Sequence, residues 1–183
     1  KDSGRVRLDG LNKIQQSNVN YANQTPENNL ALILHTSGTT SQPKRVPLSH
    51  GNLISSINHI IDTYGLSEQD VSLCVMPLFH VHGLVASTLS TLLSGGTVIL
   101  PEKFNIATFW TTVKKYDVTW FSAVPTIHQS VIGRLRRNNE SIKPNALRFI
   151  RSCSASIANR TLMDMEQIFE VPVLEAYGMT EAA

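Results

Sequence analysis

The sequence predicts an α/β fold in which a mainly parallel sheet is flanked by helices. Short apolar runs of strand length alternate along the chain with segments whose apolar residues recur at helical spacing. A helical segment between successive strands is the connection that parallel strands require. Hydrophobic residues make up 42% of the 183 residues, which is enough to build a sizeable core.

The elements follow one another in a regular order after a polar start. Residues 1–28 are rich in Asn, Gln and Asp, and we interpret them as a linker or edge segment before a domain at 29–183. The expected strands are 30–34, 71–76, 97–100, 118–124, 146–152 and 171–177. The expected helices carry apolar stripes over 53–64, 85–93, 106–113, 127–135 and 158–169. Asn105 is a suitable N-cap for the third helix, and Pro125 suits the first turn of the fourth.

The charge and cysteine content exclude several classes of function. Sixteen Lys and Arg against fourteen Asp and Glu give a formal charge of +2, whereas a nucleic-acid-binding domain usually presents a strongly basic face. Cys74 and Cys153 form no Cys-x-x-Cys pair, which excludes a zinc ribbon or disulfide scaffold and fits an intracellular, reducing compartment. The apolar stretch 78–100 is interrupted by histidines, glycines and hydroxyl residues, so stable membrane insertion is not expected.

Polar segments follow four of the predicted strands. They are 36–44, 77–83, 152–156 and 177–181. Because ligands of open α/β sheets bind outside the carboxyl ends of the strands, we expect these segments to share one site.

The first of these segments, 36–44, reads Thr-Ser-Gly-Thr-Thr-Ser-Gln-Pro-Lys. Gly38 permits close approach of the backbone, hydroxyl and backbone N–H groups can donate to phosphate oxygens, and Lys44 adds a positive charge. From composition alone a polar surface turn is the alternative. A Walker A loop is excluded because Pro43 stands where that motif needs a glycine before its lysine.

This segment resembles the phosphate-binding signature of the adenylate-forming (AMP-binding) superfamily, which includes acyl-CoA synthetases, luciferases and peptide-synthetase adenylation domains. The signature usually has a glycine where Ser41 stands, and another is common where Arg45 stands. The resemblance implies that 29–183 is part of the large N-terminal AMP-binding domain, truncated before the mobile C-terminal domain and its catalytic lysine. We expect such a piece to be weakly active or inactive by itself.

The resemblance also implies roles for individual residues. Lys44, Thr180, Glu181 and His80 are the expected catalytic residues. Glu181 would hold Mg²⁺, for which a carboxylate is a suitable hard ligand. Tyr177 would offer its ring to the adenine. The expected nucleotide-binding residues are Thr36, Ser37, Gly38, Thr39, Thr40, Ser41, Lys44, Ser154, Ala155, Ser156, Glu175, Ala176, Tyr177 and Thr180.

Further segments resemble the oxalate–CoA ligases of plants and fungi. They are 35–41, 77–84, 123–128, 149–154 and 173–177. This resemblance implies that ATP and CoA react with oxalate in the cytoplasm or the peroxisome. Oxalate is a small dianion, and charge-assisted donors would hold its distal carboxylate. The expected donors are His80, His82, Arg151, Ser152 and Ser154.

Other interpretations remain open at this stage. Of the two histidines, His80 matches the pocket-wall position of the family best and His82 second, but either can be a packing residue. Cys153 is interpreted as a buried structural thiol rather than a nucleophile, because no base is assigned to it. The chain could instead be a non-catalytic nucleotide-binding fragment, or part of a ligase for a medium-chain or aryl acid.

Overall fold

The computed structural model describes residues 5–6, 27–36, 43–138 and 146–182. The strands are β1 (Arg5–Val6), β2 (Leu30–Thr36), β3 (Lys44–Ser49), β4 (Val71–Cys74), β5 (Thr97–Ile99), β6 (Trp120–Ala123), β7 (Phe149–Cys153) and β8 (Val173–Ala176). The helices are α1 (His50–Tyr64), α2 (Ser90–Leu93), α3 (Phe109–Lys115), α4 (Pro125–Asn138) and α5 (Asn159–Phe169), with a π-helix at His82–Leu89 and a 3₁₀ turn at Thr180–Ala182.

The main sheet has the strand order β1-β5-β4-β6-β7-β8. Strands β4 to β8 run parallel, and β1 pairs antiparallel with the β5 edge. The predicted parallel α/β fold is therefore confirmed. After β4 the chain adds β5 on one side and then β6 on the other, so the strand order reverses between β4 and β6. A crevice at such a reversal is where open α/β sheets bind ligands.

Helices cover both faces of this sheet. Helices α3, α4 and α5 pack against a core that contains Phe121 and Ile150, whereas α1 packs against Trp120 and Phe149 on the opposite face. Neighbouring residues of one strand thus serve different layers, because side chains alternate across a strand. The same alternation determines which polar side chains of β6 and β7 reach the candidate site.

The strand predicted at 30–34 exists, but the structure corrects its surroundings. Strand β2 lies outside the main sheet and pairs antiparallel with β3, which the sequence analysis did not predict. Leu30 and Ile33 are 56% and 45% exposed, so the expectation of a buried strand is wrong for these two residues. A short apolar run gives the length of a strand but does not identify the partner that covers it.

Helix α1, which follows β3 directly, has well-defined caps at both ends. The backbone N–H of Asn52 donates to the Ser49 hydroxyl at 3.1 Å, and the Ser49 N–H donates to the Asn52 side-chain oxygen at 3.0 Å. Gly65 ends the helix in the left-handed conformation, with φ of 56°. These caps fix the residues at which α1 begins and ends.

Two further expectations about helices need correction. The helix expected at 85–93 begins at His82 and is π-helical as far as Leu89. Asn105 is not the N-cap of α3, because it accepts from the Ala107 N–H in the preceding turn and the helix begins only at Phe109. Among the described residues, no helix is both long and apolar enough to cross a membrane.

Candidate active site

A cavity of about 460 Å³ lies at the carboxyl ends of the parallel strands. Its walls come from one face of α1, the start of the π-helix, the end of β7 and the segment 177–182. This volume falls in the range of pockets that bind small molecules. Three of the four polar segments expected to share a site, 77–83, 152–156 and 177–181, contribute residues to this cavity.

The cavity brings together five of the residues singled out from the sequence, which come from three separate segments. They are His82, Arg151, Ser154, Tyr177 and Glu181. The topology explains this convergence, since these residues lie on or follow strands of the same parallel sheet.

A hydrogen-bond network centred on His82 includes three of the residues that line the cavity, His82, Arg151 and Ser154. Nε2 of His82 lies 2.6 Å from the Ser122 hydroxyl, and its Nδ1 lies 2.9 Å from the Ser154 hydroxyl. Arg151 donates from Nη1 to the same Ser122 oxygen at 3.1 Å and from Nε to the Tyr64 hydroxyl at 3.0 Å. The network therefore joins α1, the π-helix, β6 and β7.

The electrostatics of the network keep His82 uncharged. Burial first, and then the neighbouring charge of Arg151, lower the pKa of His82 to about 3. His128 and His80 contribute in the same direction. Near neutral pH the ring therefore has one N–H donor and one acceptor nitrogen.

Arg151 is a buried cation with neutral partners. Its exposed fraction is 7%, and it lines the cavity. Within the described parts of the chain, its hydrogen bonds go to the Tyr64 and Ser122 hydroxyls, and no carboxylate pairs with it. Buried charges in proteins are usually paired, so this arrangement suits an anionic ligand.

Ser154 adopts an unusual backbone conformation directly after β7. Its φ is 72°, in the left-handed region that favours glycine. The conformation turns the chain away from the strand while the side chain remains within hydrogen-bonding distance of His82. A serine is therefore a residue that the local backbone does not favour at this position.

Some expected residues lie elsewhere. His80 is exposed beside the Phe79 ring and does not line the cavity, so the structure reverses the expected order of the two histidines. Ser152 has an exposed fraction of 0% and does not line the cavity either. Because side chains alternate along β7, Ser152 and Arg151 face opposite sides of the sheet.

The remaining residues expected to bind the nucleotide at the ends of β7 and β8 do not line the cavity. Ala155 and Ser156 are exposed and do not line the cavity. Glu175 accepts a hydrogen bond from the Ile157 N–H at 3.0 Å and so supports the turn after β7. Ala176 ends β8 beside Cys153, which does line the cavity and whose thiol is buried.

The expected phosphate segment is described at its two ends. Thr36 and Lys44 are cross-strand neighbours on β2 and β3, and neither lines the cavity. Ser37, Gly38, Thr39, Thr40 and Ser41 lie outside the described residues. Strand β3, which begins at Lys44, contacts the 3₁₀ turn that contains Thr180 and Glu181.

Comparison with known proteins decides the family. The family model described as "AMP-binding enzyme" matches residues 3–183. The chain belongs to this family. An oxalate–CoA ligase from Arabidopsis thaliana is 54% identical over 154 residues, which are 83% of this chain and 30% of that protein. An oxalate–CoA ligase from Saccharomyces cerevisiae is 45% identical over 185 residues, covering 98% of this chain and 33% of that protein.

Solved structures agree with this assignment. ATP-bound MatB from Rhodopseudomonas palustris matches with a TM-score of 0.76 and 31% identity, over 85% of this chain and 30% of that one. The resemblance predicted from the sequence motifs is thus confirmed. The chain spans about 30% of the length of the curated relatives it matches.

The sequence analysis of this AMP-binding chain missed one wall of the cavity. Helix α1 contributes the polar residues Asn52, Ser55, Ser56 and His59. They recur at intervals of three and four, which places them on one helical face opposite the buried Ile57. This polar stripe was the available signal, but the analysis used only the apolar stripe of the same helix.

Glu181 is the acidic residue among those that line the cavity. No cluster of three His, Cys, Asp or Glu side chains in the described parts of the chain could hold a metal ion. One exposed carboxylate fits a magnesium ion whose other ligands come from nucleotide phosphates and water, which is how this ion is often held.

Proposed function

We propose that the protein containing this chain activates oxalate with ATP and transfers the acyl group to CoA. In the first step a carboxylate oxygen attacks the α-phosphorus, the bond to pyrophosphate breaks, and an acyl-adenylate forms. In the second step the CoA thiol attacks the acyl carbon, loses its proton, and AMP leaves. Neither step needs a protein nucleophile, which agrees with the buried position of Cys153.

The observation that carries this proposal is the buried Arg151 without a carboxylate partner among the described residues. An acid that keeps a second carboxylate after activation would pair with this guanidinium through charge-assisted hydrogen bonds. Ser154 would donate to the same group from the neighbouring turn. A fatty acid would bring only methylene groups to this wall and leave the cation unpaired.

The nucleotide would lie toward the other end of the cavity. Here we assign Tyr177 to the adenine, Lys44 and the segment 36–41 to the phosphates, and Thr180 to a phosphate oxygen. The proximity of β3 to the 3₁₀ turn supports this arrangement. Two anions approach each other in the first step, so positive charge and N–H and O–H donors placed around them stabilise the transition state. A magnesium ion held by Glu181 would supply further charge neutralisation.

Acid-dependent exchange between ATP and pyrophosphate tests the proposal in the full-length protein. Oxalate, malonate and hexanoate are compared by kcat/KM, and we expect oxalate to be the best substrate. Arg151→Gln should lower kcat/KM for oxalate by about tenfold to a hundredfold, because hydrogen bonds to charged groups contribute about 1.5–3 kcal/mol. Arg160→Gln is the matched control, since Arg160 is exposed on α5 and should leave exchange unchanged.

The competing interpretations give different results. Preference for hexanoate would identify a ligase for another acid. Nucleotide binding without exchange for any of the acids would identify a non-catalytic binding protein.

A further inference from the structure

Resting on the acid site proposed above, we infer that Ser122 is a positioning residue that fixes the Nδ1–H tautomer of His82. This tautomer leaves the Ser154 hydroxyl as a donor toward the carboxylate of the acid. Ser122 lies on β6, is fully buried and does not line the cavity. Its effect on the acid would therefore pass through His82 and Ser154 rather than through direct contact.

The direction of donation begins at Arg151. A guanidinium has only donors, so the 3.1 Å contact from Nη1 makes the Ser122 oxygen an acceptor. The same oxygen lies 2.6 Å from Nε2 of His82, a short distance that indicates a strong bond. The second bond of Arg151, from Nε to Tyr64, holds the guanidinium in place for the first.

The single proton of Ser122 then settles the tautomer. If Nε2 of His82 carried the ring proton, the Ser122 oxygen would face two donors and its own O–H would need a third group as acceptor. No other acceptor for this hydroxyl is present among the residues that the structure describes. Donation from Ser122 to Nε2 satisfies every atom, and the neutral ring then carries its proton on Nδ1.

The last hydrogen bond of this series joins His82 to Ser154, which lines the cavity. With Nδ1 protonated, His82 donates to the Ser154 oxygen across 2.9 Å. The O–H of Ser154 remains available, and Ser154 lines the cavity beside Arg151. In the opposite tautomer Ser154 would donate to His82 and present a lone pair to an incoming anion. The direction of this chain therefore determines whether an anion meets a donor or an acceptor.

The low pKa of His82 agrees with this chain, because a protonated ring would donate from both nitrogens and compete with Arg151 for the Ser122 oxygen. The neutral ring accepts a hydrogen bond from Ser122 at Nε2 and donates one to Ser154 from Nδ1, so the direction of donation set by Arg151 continues to Ser154.

Nitrogen NMR of the full-length protein, labelled with ¹⁵N at histidine, tests the inference. The signals of His82 are assigned by their loss in His82→Gln. We expect Nδ1 to be protonated and Nε2 to be unprotonated in the wild-type protein, where the tautomer itself is measured. A protonated Nε2 in the wild-type protein would overturn the inference.

Variants then separate the role of Ser122 from a merely structural one. Ser122→Ala should lose the preference for Nδ1–H and raise KM for oxalate by about tenfold, with kcat within about twofold of wild type. Ser154→Gly should raise KM similarly while keeping the Nδ1–H tautomer. Ser72→Ala is the matched control, because Ser72 is an equally buried serine of the neighbouring strand β4 that bonds to the Ser87 carbonyl instead.

An unchanged tautomer in Ser122→Ala would refute the positioning role. Two results together would uphold the role of Ser122 and reject the proposed substrate. They are no activity of the wild-type protein with oxalate and loss of the Nδ1–H preference in the Ser122→Ala variant.

Discussion

At Ser154 the backbone conformation is unfavourable, whereas the side chain makes a favourable hydrogen bond. A non-glycine residue in the left-handed region costs about 1–2 kcal/mol, and φ of 72° places Ser154 there. The hydroxyl bonds to His82, and a net contribution of about 1 kcal/mol is typical of such a bond. The two contributions nearly cancel, so a serine is tolerated where glycine would be relaxed.

This conflict predicts a difference between two variants that both lack the hydroxyl. Ser154→Ala loses the bond to His82 and keeps the strained backbone, whereas Ser154→Gly loses the bond and relieves the strain. We expect Ser154→Gly to be more stable than Ser154→Ala by about 1 kcal/mol. Urea denaturation measures the difference, and equal stabilities would mean that the backbone at this position is not strained.

At the scale of single residues, only part of the candidate site could be predicted from the sequence. The resemblance to the family singled out the segments 77–83 and 152–156 and ranked His80 before His82, but it could not show which side chains of these segments face the cavity. The π-helix begins at His82 and buries it, while His80 remains in the exposed turn before it. For Ser152, the alternation of side chains along the predicted strand already implied that it and Arg151 face opposite sides of the sheet.

At the scale of elements, the start of the π-helix depends on the absence of a side chain at Gly83. A Cβ there would lie 2.3 Å from the Pro77 carbonyl oxygen and 2.7 Å from that of Met76. Both neighbours are backbone atoms and cannot rotate away. The close approach holds the first turn of the π-helix, and with it His82, against the end of β4.

We therefore expect Gly83→Ala to lower the free energy of unfolding by about 2 kcal/mol, in the range found for overpacked cores, and to weaken acid binding by displacing His82. Gly133→Ala is the matched control, because nothing lies within 4 Å of its added Cβ in α4. That control should gain up to about 1 kcal/mol from helix propensity. Thermal denaturation and KM for the acid measure both effects, and a Gly83→Ala variant as stable as wild type would contradict the packing argument.

Most helices and strands were predictable, because their apolar periodicity reflects the layers they bury. Strand β3 was missed although Val46 and Leu48 are buried and alternate with exposed neighbours. Pro47 interrupts the pattern, and a proline is tolerated there because β3 has a single partner strand, β2, among the described residues. The π-helix has no signature in apolar periodicity, so its geometry was not available from the sequence.

At the scale of the whole molecule, the position of the site followed from topology. Parallel strands bring their carboxyl ends to one edge, so residues as distant in sequence as His82 and Glu181 were expected to meet, and both line the cavity. The α1 wall was not predicted, although the polar residues of α1 that line it recur at helical spacing. Periodicity shows that a helix has a polar face, but it does not show whether that face borders a cavity or bulk solvent.

The global stability of the protein should depend on pH through two buried histidines. Burial and the Arg151 charge lower the pKa of His82 to about 3, and burial lowers the pKa of His128 to about 4 against opposing backbone groups of Arg151 and Ala123. Both values lie below the value of about 6.5 in an unfolded chain. As pH falls below 6.5, the unfolded chain binds protons that the folded protein excludes, so acid lowers stability.

We expect the contribution of these two histidines to the free energy of unfolding to be constant above about pH 7 and to fall between about pH 6.5 and pH 5, where each histidine contributes up to about 1.4 kcal/mol per pH unit. Carboxylates titrate mainly below this window, so the slope isolates the histidines. Urea denaturation across the window should give about half the slope in His82→Gln, whereas the control His59→Gln, at an exposed residue of α1, should keep the full slope. An unchanged slope in His82→Gln would mean that His82 binds its proton equally well in the folded and the unfolded protein, which would contradict the lowered pKa.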